Sequence, residues 1–451
     1  MKESIPEGQL QFSRRQLIQL IWPLVVEQCL AVTIGMADTM MVASTGEAAV
    51  AGIGLVDSIN LLLIQVFSAL ATGGAVVASQ YIGHQERDNA CRAAKQLLYA
   101  STALSLVIMV CMLSFNRPIL SFVFGRIEEK VMANAETYFW LSAVSYPFLA
   151  IYNAGAALFR TMGNSRVSML TSLMMNIVNI CGNALLIFVF RWGVAGAATA
   201  SLVSRMLGAV IMLILVRNRR NPIYIEKVWR PEFHRKMVGR ILKIGVPNGV
   251  ENGMFQVGKL MVAGLVSSFA TSMVAANTIA GNISSMVNIP GAAIGLGMVT
   301  VVGQCVGAGE YGQAVRYTKK LMAVTYIAMG VLNVGLFFAA EPLVALFGLS
   351  DAAVDAAREI LQYSAVFCAI FWPLSFTLPN ALRASGDARF SMAVSMLSMW
   401  VFRIGFSYLL ALCFDWKLMG VWAAMFIDWI VRGIVFTIRF CSGRWKSKRV
   451  I

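Results

Sequence analysis

The sequence predicts an all-α polytopic membrane protein: twelve transmembrane helices in two parallel-repeat six-helix bundles. Three observations predict it. Of the 451 residues 58% are hydrophobic and 13% charged, against roughly 25% charged in a soluble domain. The apolar residues come in blocks of about 20 to 35, the length a helix needs to cross roughly 30 Å of hydrocarbon. The second half also repeats the first at an offset of 224 residues.

Twelve blocks follow one another, and their continuous rather than alternating hydrophobicity argues against strands. Span 1, about 16–44, holds Pro23, Glu27, Gln28 and Asp38. It is too long for a cleavable signal peptide and lacks a small-residue cleavage site. Span 2, about 50–82, carries Asp57 near its start. Spans 3 and 4, about 93–115 and 132–162, are apolar and joined by an outer loop. Span 5, about 166–190, carries Asn176, Asn179 and Asn183, and span 6, about 194–216, carries Arg205. A basic stretch, 217–240, contains Pro222 and Pro231 and reads as a solvated tether. Span 7, about 239–266, carries Pro247, Glu251, Asn252, Gln256 and Lys259. Spans 8 to 10 run over about 271–306, 315–340 and 353–382. Span 11, about 388–413, holds Arg403, and span 12, about 418–438, holds Asp428 and Arg432. The longest spans must tilt, bend or extend past the bilayer.

The repeat divides the chain into an amino-terminal bundle (1–216), the basic linker (217–240) and a carboxyl-terminal bundle with a basic tail (241–451). Pro23 matches Pro247, Glu27 matches Glu251, Gly73 matches Gly297 and Gln80 matches Gln304. After the loss of one residue, Arg160, Gly163 and Arg166 match Arg383, Gly386 and Arg389. Six spans per half start both halves on the same side, so the repeat axis lies along the membrane normal.

The net charge of +15 is distributed as a membrane protein distributes it, which argues against nucleic acid as a partner. With both termini inside, 27 of the 37 Lys and Arg fall in inner loops and tails. Six lie outside: Arg117, Arg126, Lys130, Arg191, Arg358 and Lys417. That asymmetry places both termini in the cytoplasm of a plasma (inner) membrane protein. The eight cysteines are scattered singly, which argues against disulfides and metal clusters. No phosphate-binding G-x-x-x-x-G-K-[ST] loop is present, so any energy must come from an ion gradient. No nucleophile–base pair marks an enzyme, and no cofactor is expected beyond a coupling ion, H+ or Na+.

Ionisable residues inside a membrane span are expensive and functional by default. Glu27 and Asp38, eleven residues apart on one helix, share a face. With Asp57 they make an acidic group against no base in spans 1 and 2, a candidate proton or cation site. Residues that would hold Na+ are not identifiable. Glu251, Gln256 and Lys259 are candidates for substrate or a second ion, Lys259 lying two turns after Glu251. Asn176, Asn179, Asn183, Gln28 and Asn252 are lining candidates. Asp428 and Arg432 stand at i, i+4, the spacing of an intrahelical ion pair; with Arg403 they form an expected structural ion cluster. Pro23 and Pro247, one turn before their acids, are hinge candidates, since proline frees a helix carbonyl.

The sequence resembles the multidrug and toxic compound extrusion (MATE) family over about residues 15 to 440. The marks are Gly35-Met36-Ala37-Asp38-Thr39, Val50-Ala51-Gly52, Ala78-Ser79-Gln80-Tyr81-Ile82-Gly83, Val302-Gly303-Gln304-Cys305-Val306-Gly307, Arg160-Thr161-Met162-Gly163-Asn164, Arg383-Ala384-Ser385-Gly386-Asp387 and Gly193-Val194-Ala195-Gly196-Ala197-Ala198. The resemblance implies a V-shaped pair of bundles. It also implies export of organic cations or other amphipathic compounds in exchange for sodium or protons. Asp38 matches the family's first-span coupling aspartate. The seventh-span glutamate of the NorM branch falls at Phe255-Gln256, and its tenth-span aspartate has no counterpart near Trp372-Pro373. The fifth-span aspartate of the DinF branch is Asn183 here. The expectation is a monomeric antiporter in the lipid bilayer, working by alternating access on a small amphipathic or cationic substrate. Glu27→Gln is expected to abolish coupled efflux. The alternative is a flippase-like exporter of a lipid-linked or narrow native substrate. The acidic character of the candidates argues against it, since phosphate calls for a cationic cavity.

Overall fold

The computed structural model describes residues 11–125, 128–226, 232–348, 350–448 and 450–451, and of residues 34–39 and 43 the backbone only. Its helices fall where the apolar blocks predict them. The first half comprises α1 (Arg14–Ala43), α2 (Glu47–Gly83), α3 (Arg87–Ser114), a short α4 (Asn116–Phe124), α5 (Glu129–Thr161), α6 (Ser165–Asn183) and α7 (Gly193–Val216). The second comprises α8 (Arg235–Ser267), α9 (Thr271–Val287), α10 (Ile289–Gly307), α11 (Tyr311–Ala345), α12 (Asp351–Trp372), α13 (Leu378–Ala384), α14 (Ala388–Ser398), α15 (Phe406–Tyr408) and α16 (Lys417–Cys441). Among the described residues, 11 helical segments are long and apolar enough to cross a membrane. The twelfth span is α8, 33 residues long; Pro247, Asn248, Glu251, Asn252, Gln256 and Lys259 dilute its hydrophobicity.

Several spans depart from regular α-helix. Span 8, expected as one helix, breaks between α9 and α10 at Asn288, because Pro290 in the first turn of α10 has no N–H to continue the ladder. Wide π-helical turns occupy Ala184–Val189, Pro373–Thr377, Met399–Gly405 and Leu409–Cys413. Such turns re-aim side chains and often sit at functional sites. The loops after α5 and α13 turn on repeat-equivalent glycines: Gly163 has φ +79° and Gly386 φ +102°, angles that L side chains rarely adopt.

The chain forms two compact units. One is Arg14–Gly249; the other is Val250–Ile451 with the described residues 11–13. In the first, α5 packs against α2, α3 and α7, and α1 lies along α6. Its core gathers Val56, Leu120, Phe139 and Ile187. In the second, α11 packs on α10 and α12, and α16 on the π-helical turns of spans 10 and 11. Trp372, Trp422, Phe426 and Trp429 dominate its core.

The boundary between units falls inside α8, just after Pro247, rather than in the basic linker. Two close approaches explain why α8 begins with the first unit. A Cβ on Gly73 would stand 2.6 Å from the carbonyl oxygen of Ile241 and 2.8 Å from the nitrogen of Gly245, so α2 and α8 meet backbone to backbone. The Arg240 guanidinium also donates to the Tyr81 hydroxyl. The linker's described part is no solvated tether. Ile223 and Ile225 are buried, and Arg87 donates to the carbonyls of Pro222, Arg219 and Asn221 at 3.0, 3.1 and 2.7 Å.

Candidate functional site

Glu27 is buried on α1, 7% exposed. The Arg160 guanidinium, from the last turn of α5, stands 3.4 Å from its Oε1, and the Ser168 hydroxyl donates to Oε2 at 2.8 Å. Pro23, one turn earlier, weakens the local helix ladder. The Leu20 carbonyl, near the same turn, accepts a hydrogen bond from the Ser165 hydroxyl, which ties α1 to α6. Glu27, expected as one of three acids of a proton or cation site, is therefore half of an ion pair.

Asp57 sits in a separate network. The Asn60 amide donates to its Oδ1 at 3.1 Å, and the Tyr146 hydroxyl donates to Asn60 Oδ1 at 2.8 Å. Asp57 lines a cavity of about 220 Å³ with Tyr138, Asn183, Ser201 and Arg205. The Arg205 guanidinium donates to the Ser145 hydroxyl at 2.6 Å. Asp57 has no ion pair within 4.0 Å among the described residues. The acids of spans 1 and 2 thus meet bases from elsewhere, Arg160 of span 4 and Arg205 of span 6, and Glu27 and Asp57 lie in different side-chain networks and not in one acidic pocket. The Asp38 side chain lies outside the described residues.

Asn179 and Asn183 join the same side of the first unit. The Asn179 amide donates to the Ser201 hydroxyl at 3.0 Å, and the Asn183 amide to Asn179 Oδ1 at 3.4 Å. Asn176 is half-buried on the same helix and does not line the cavity. Gln28, Asn252 and Gln256 are half-buried and line neither this cavity nor the one below.

In the second unit Glu251 repeats Glu27. It is 6% exposed, and the Arg383 guanidinium lies 2.6 Å from its Oε1. Arg432 adds a second cation at 3.8 Å. Arg432 and Arg403 each stand 3.9 Å from Asp428 Oδ2, and the Ser398 hydroxyl donates to Asp428 Oδ1 at 2.5 Å. The expected Arg403–Asp428–Arg432 cluster forms, but Glu251 belongs to it instead of standing apart as a substrate group.

Lys259 does not balance Glu251. It forms no ion pair among the described residues, and its ammonium lies 5.2 Å from the Phe255 ring centroid. The Arg403 guanidinium lies over the same ring at 5.0 Å. Both cations line a cavity of about 420 Å³ whose other walls include Trp372, Phe376, Trp422 and Trp429. The π-helical turns Pro373–Thr377 and Met399–Gly405 carry Phe376 and Arg403 to it. No carboxylate is in this lining among the described residues. The acidic character expected of the candidates therefore does not hold for the second unit's cavity, which presents Lys259 and Arg403.

Arg160 and Arg383 were missed as site residues, although their 223-residue spacing tracks that of Glu27 and Glu251. They read as loop cations only because each ends its span.

The model of the MatE family matches this chain twice, over residues 23–185 and 247–409. The chain belongs to that family. Both matches open on the repeated prolines, and together they cover well over half of the sequence. A chain of this family is a membrane transporter of small molecules. It is 26% identical over 440 residues to an uncharacterized transporter, YisQ, of Bacillus subtilis, covering 96% of this chain and 95% of that one. It is 24% identical over 460 residues to a probable multidrug resistance protein NorM of Thermotoga maritima, covering 100% and 96%. A crystal structure of MATE in the bent conformation superposes with a TM-score of 0.87 at 19% identity, over 95% of this chain and 96% of that one. At that identity the match speaks to the fold alone.

Proposed function

We propose that this MATE chain is a secondary antiporter of the plasma membrane, with both termini cytoplasmic. It exports an amphipathic compound by alternating access in exchange for H+ or Na+. One observation carries the coupling half of this reading: Asp57 alone of the described intramembrane acids opens to a cavity without an ion pair. Its carboxylate, the Tyr138 and Ser201 hydroxyls and the Asn183 amide supply oxygen donors, which a hard cation takes. Arg205 in the same wall opposes a cation and favours a proton, which neutralises Asp57 without adding a separate charge. Asp38, on the preceding helix, is the second coupling candidate. Glu27 and Glu251 hold arginines and brace the helices that carry the site. Pro247, beside the boundary between units, is the better placed of the two hinge candidates.

The test is efflux from proteoliposomes under a proton gradient or a sodium gradient, one at a time. Ethidium serves as the organic cation and 2-naphthoate as the organic anion. One gradient alone drives at least one probe, and Asp57→Asn removes that dependence. Unchanged gradient-driven efflux in Asp57→Asn removes Asp57 from the coupling role. If neither probe moves under either gradient, the multidrug reading yields to export of a narrow or lipid-linked anion. Lys259 and Arg403 in the larger cavity favour that second reading.

A further inference from the structure

We infer that the cavity of the carboxyl-terminal unit is a binding site for an aromatic organic anion, held by Lys259 and Arg403. This assigns a substrate class and rests on the reading of the chain as an exporter of amphipathic compounds.

Around this cavity four cations, Lys259, Arg383, Arg403 and Arg432, meet two carboxylates, Glu251 and Asp428. Both carboxylates lie behind the wall, and the two cations that reach the lumen are Lys259 and Arg403. A cation within a membrane span is costly unless it is paired or hydrated in a water-filled cavity, and Lys259 is exposed to its cavity. Arg403 shares Asp428 with Arg432 at 3.9 Å, and Lys259 has only the face of Phe255. A ring quadrupole attracts a cation but does not neutralise it.

Hydrogen bonding points the same way. The side-chain oxygens of the wall are largely engaged. Asn277 Oδ1 accepts from the Trp422 indole at 2.9 Å, and Asn288 Oδ1 accepts from the Cys368 thiol at 3.1 Å. With these acceptors engaged, no carboxylate in the lining among the described residues and Lys259 and Arg403 at the lumen, the cavity suits a ligand that brings acceptor oxygens and negative charge.

The rest of the wall selects the ligand's body. Trp372, Phe376, Trp422 and Trp429 offer flat apolar faces, which favour a ring that stacks offset or edge-on. About 420 Å³ holds one or two fused rings with a carboxylate, sulfonate or phosphate, within the usual size range of small-molecule pockets.

The test compares three ligands that share one ring system and differ in charge: tritiated 2-naphthoate, 2-naphthylmethanol and 2-naphthylmethylammonium. Binding to the purified full-length protein is read by scintillation proximity without any ion gradient. The naphthoate binds at least about tenfold tighter than the ammonium, as one lost charge-assisted contact implies. Lys259→Gln weakens naphthoate by a similar factor and leaves naphthylmethanol unchanged. Lys259→Glu shifts preference towards the ammonium. Because Lys259 has no ion-pair partner, these variants elute from size exclusion as the wild type does. Tighter binding of the ammonium, no binding of any of the three, or an unaltered naphthoate affinity in Lys259→Gln each overturns the proposal. The binding assay uses no gradient, so it fails or succeeds independently of coupled transport. Naphthoate binding without gradient-driven efflux overturns antiport alone; gradient-driven ethidium efflux without naphthoate binding overturns the anion site alone.

Discussion

Glu27 and Glu251 each take an arginine that lies 133 and 132 residues further along the chain. Hydropathy makes the two acids conspicuous, because each interrupts an apolar block. It cannot reveal their partners, since pairing is a tertiary fact and both arginines end their helices where loop cations are expected. Assigning Arg160 and Arg383 to pairs still leaves the inner loops far more basic than the outer ones, so the charge asymmetry does not depend on them. The pairs brace the bundle. Breaking one buried pair by removing a partner leaves the other charge unmatched and costs about 3–5 kcal/mol. Glu251→Gln therefore lowers the melting temperature in detergent more than Glu27→Gln does, because Glu251 faces two arginines and Glu27 has Ser168 besides Arg160. Adding Arg383→Met to Glu251→Gln restores part of the loss; a double variant no more stable than the worse single one would contradict a direct coupling.

At the level of elements, the spans were legible almost to their ends. A transmembrane helix is specified by its own composition, because no water is present to satisfy its backbone otherwise. Interruptions were less legible. Pro290 announces the break between α9 and α10 only once the register of α10 is known, and of the four π-helical turns only Pro373–Thr377 opens on a proline. The contact of α2 with the first half of α8 was also hidden, since Gly73 and Gly245 read as ordinary small residues in apolar helices. Small residues let membrane helices approach closely, and here Gly73 has no room for a Cβ. Gly73→Ala pushes α8 away from α2 and destabilises the fold by about 1–3 kcal/mol. Gly330→Ala is the control, since nothing lies within 4 Å of its Cβ position; it is neutral or slightly stabilising, as Ala favours a helix over Gly. Thermal unfolding followed by size-exclusion fluorescence separates the two, and equal melting temperatures would refute the close crossing.

For the whole molecule the duplication was plain, but the chemical inequality of the halves was not. The same frame of proline, acid and arginine carries different cavities: Asp57 with Arg205 in the first unit, Lys259 with Arg403 in the second. Sequence spacing shows which residues lie in spans; only packing shows which of them reach a lumen, and Lys259 reaches it while Glu251 does not. The polarity of the second cavity has an energetic consequence for transport. If one coupling cation enters for each organic cation exported, no net charge crosses the membrane. If one enters for each organic anion exported, the equivalent of two positive charges moves inward. Each elementary charge is worth about 2.3 kcal/mol per 100 mV, so an inside-negative potential adds about 4.6 kcal/mol per 100 mV to anion export and nothing to one-for-one cation export. In proteoliposomes clamped with potassium and valinomycin, 2-naphthoate efflux at a fixed ion gradient therefore accelerates as the interior is made negative, while any ethidium efflux stays level. A naphthoate efflux rate indifferent to the clamped potential would mean that the anion does not leave against an entering cation, and the second cavity would then bind its ligand without being part of the exchange.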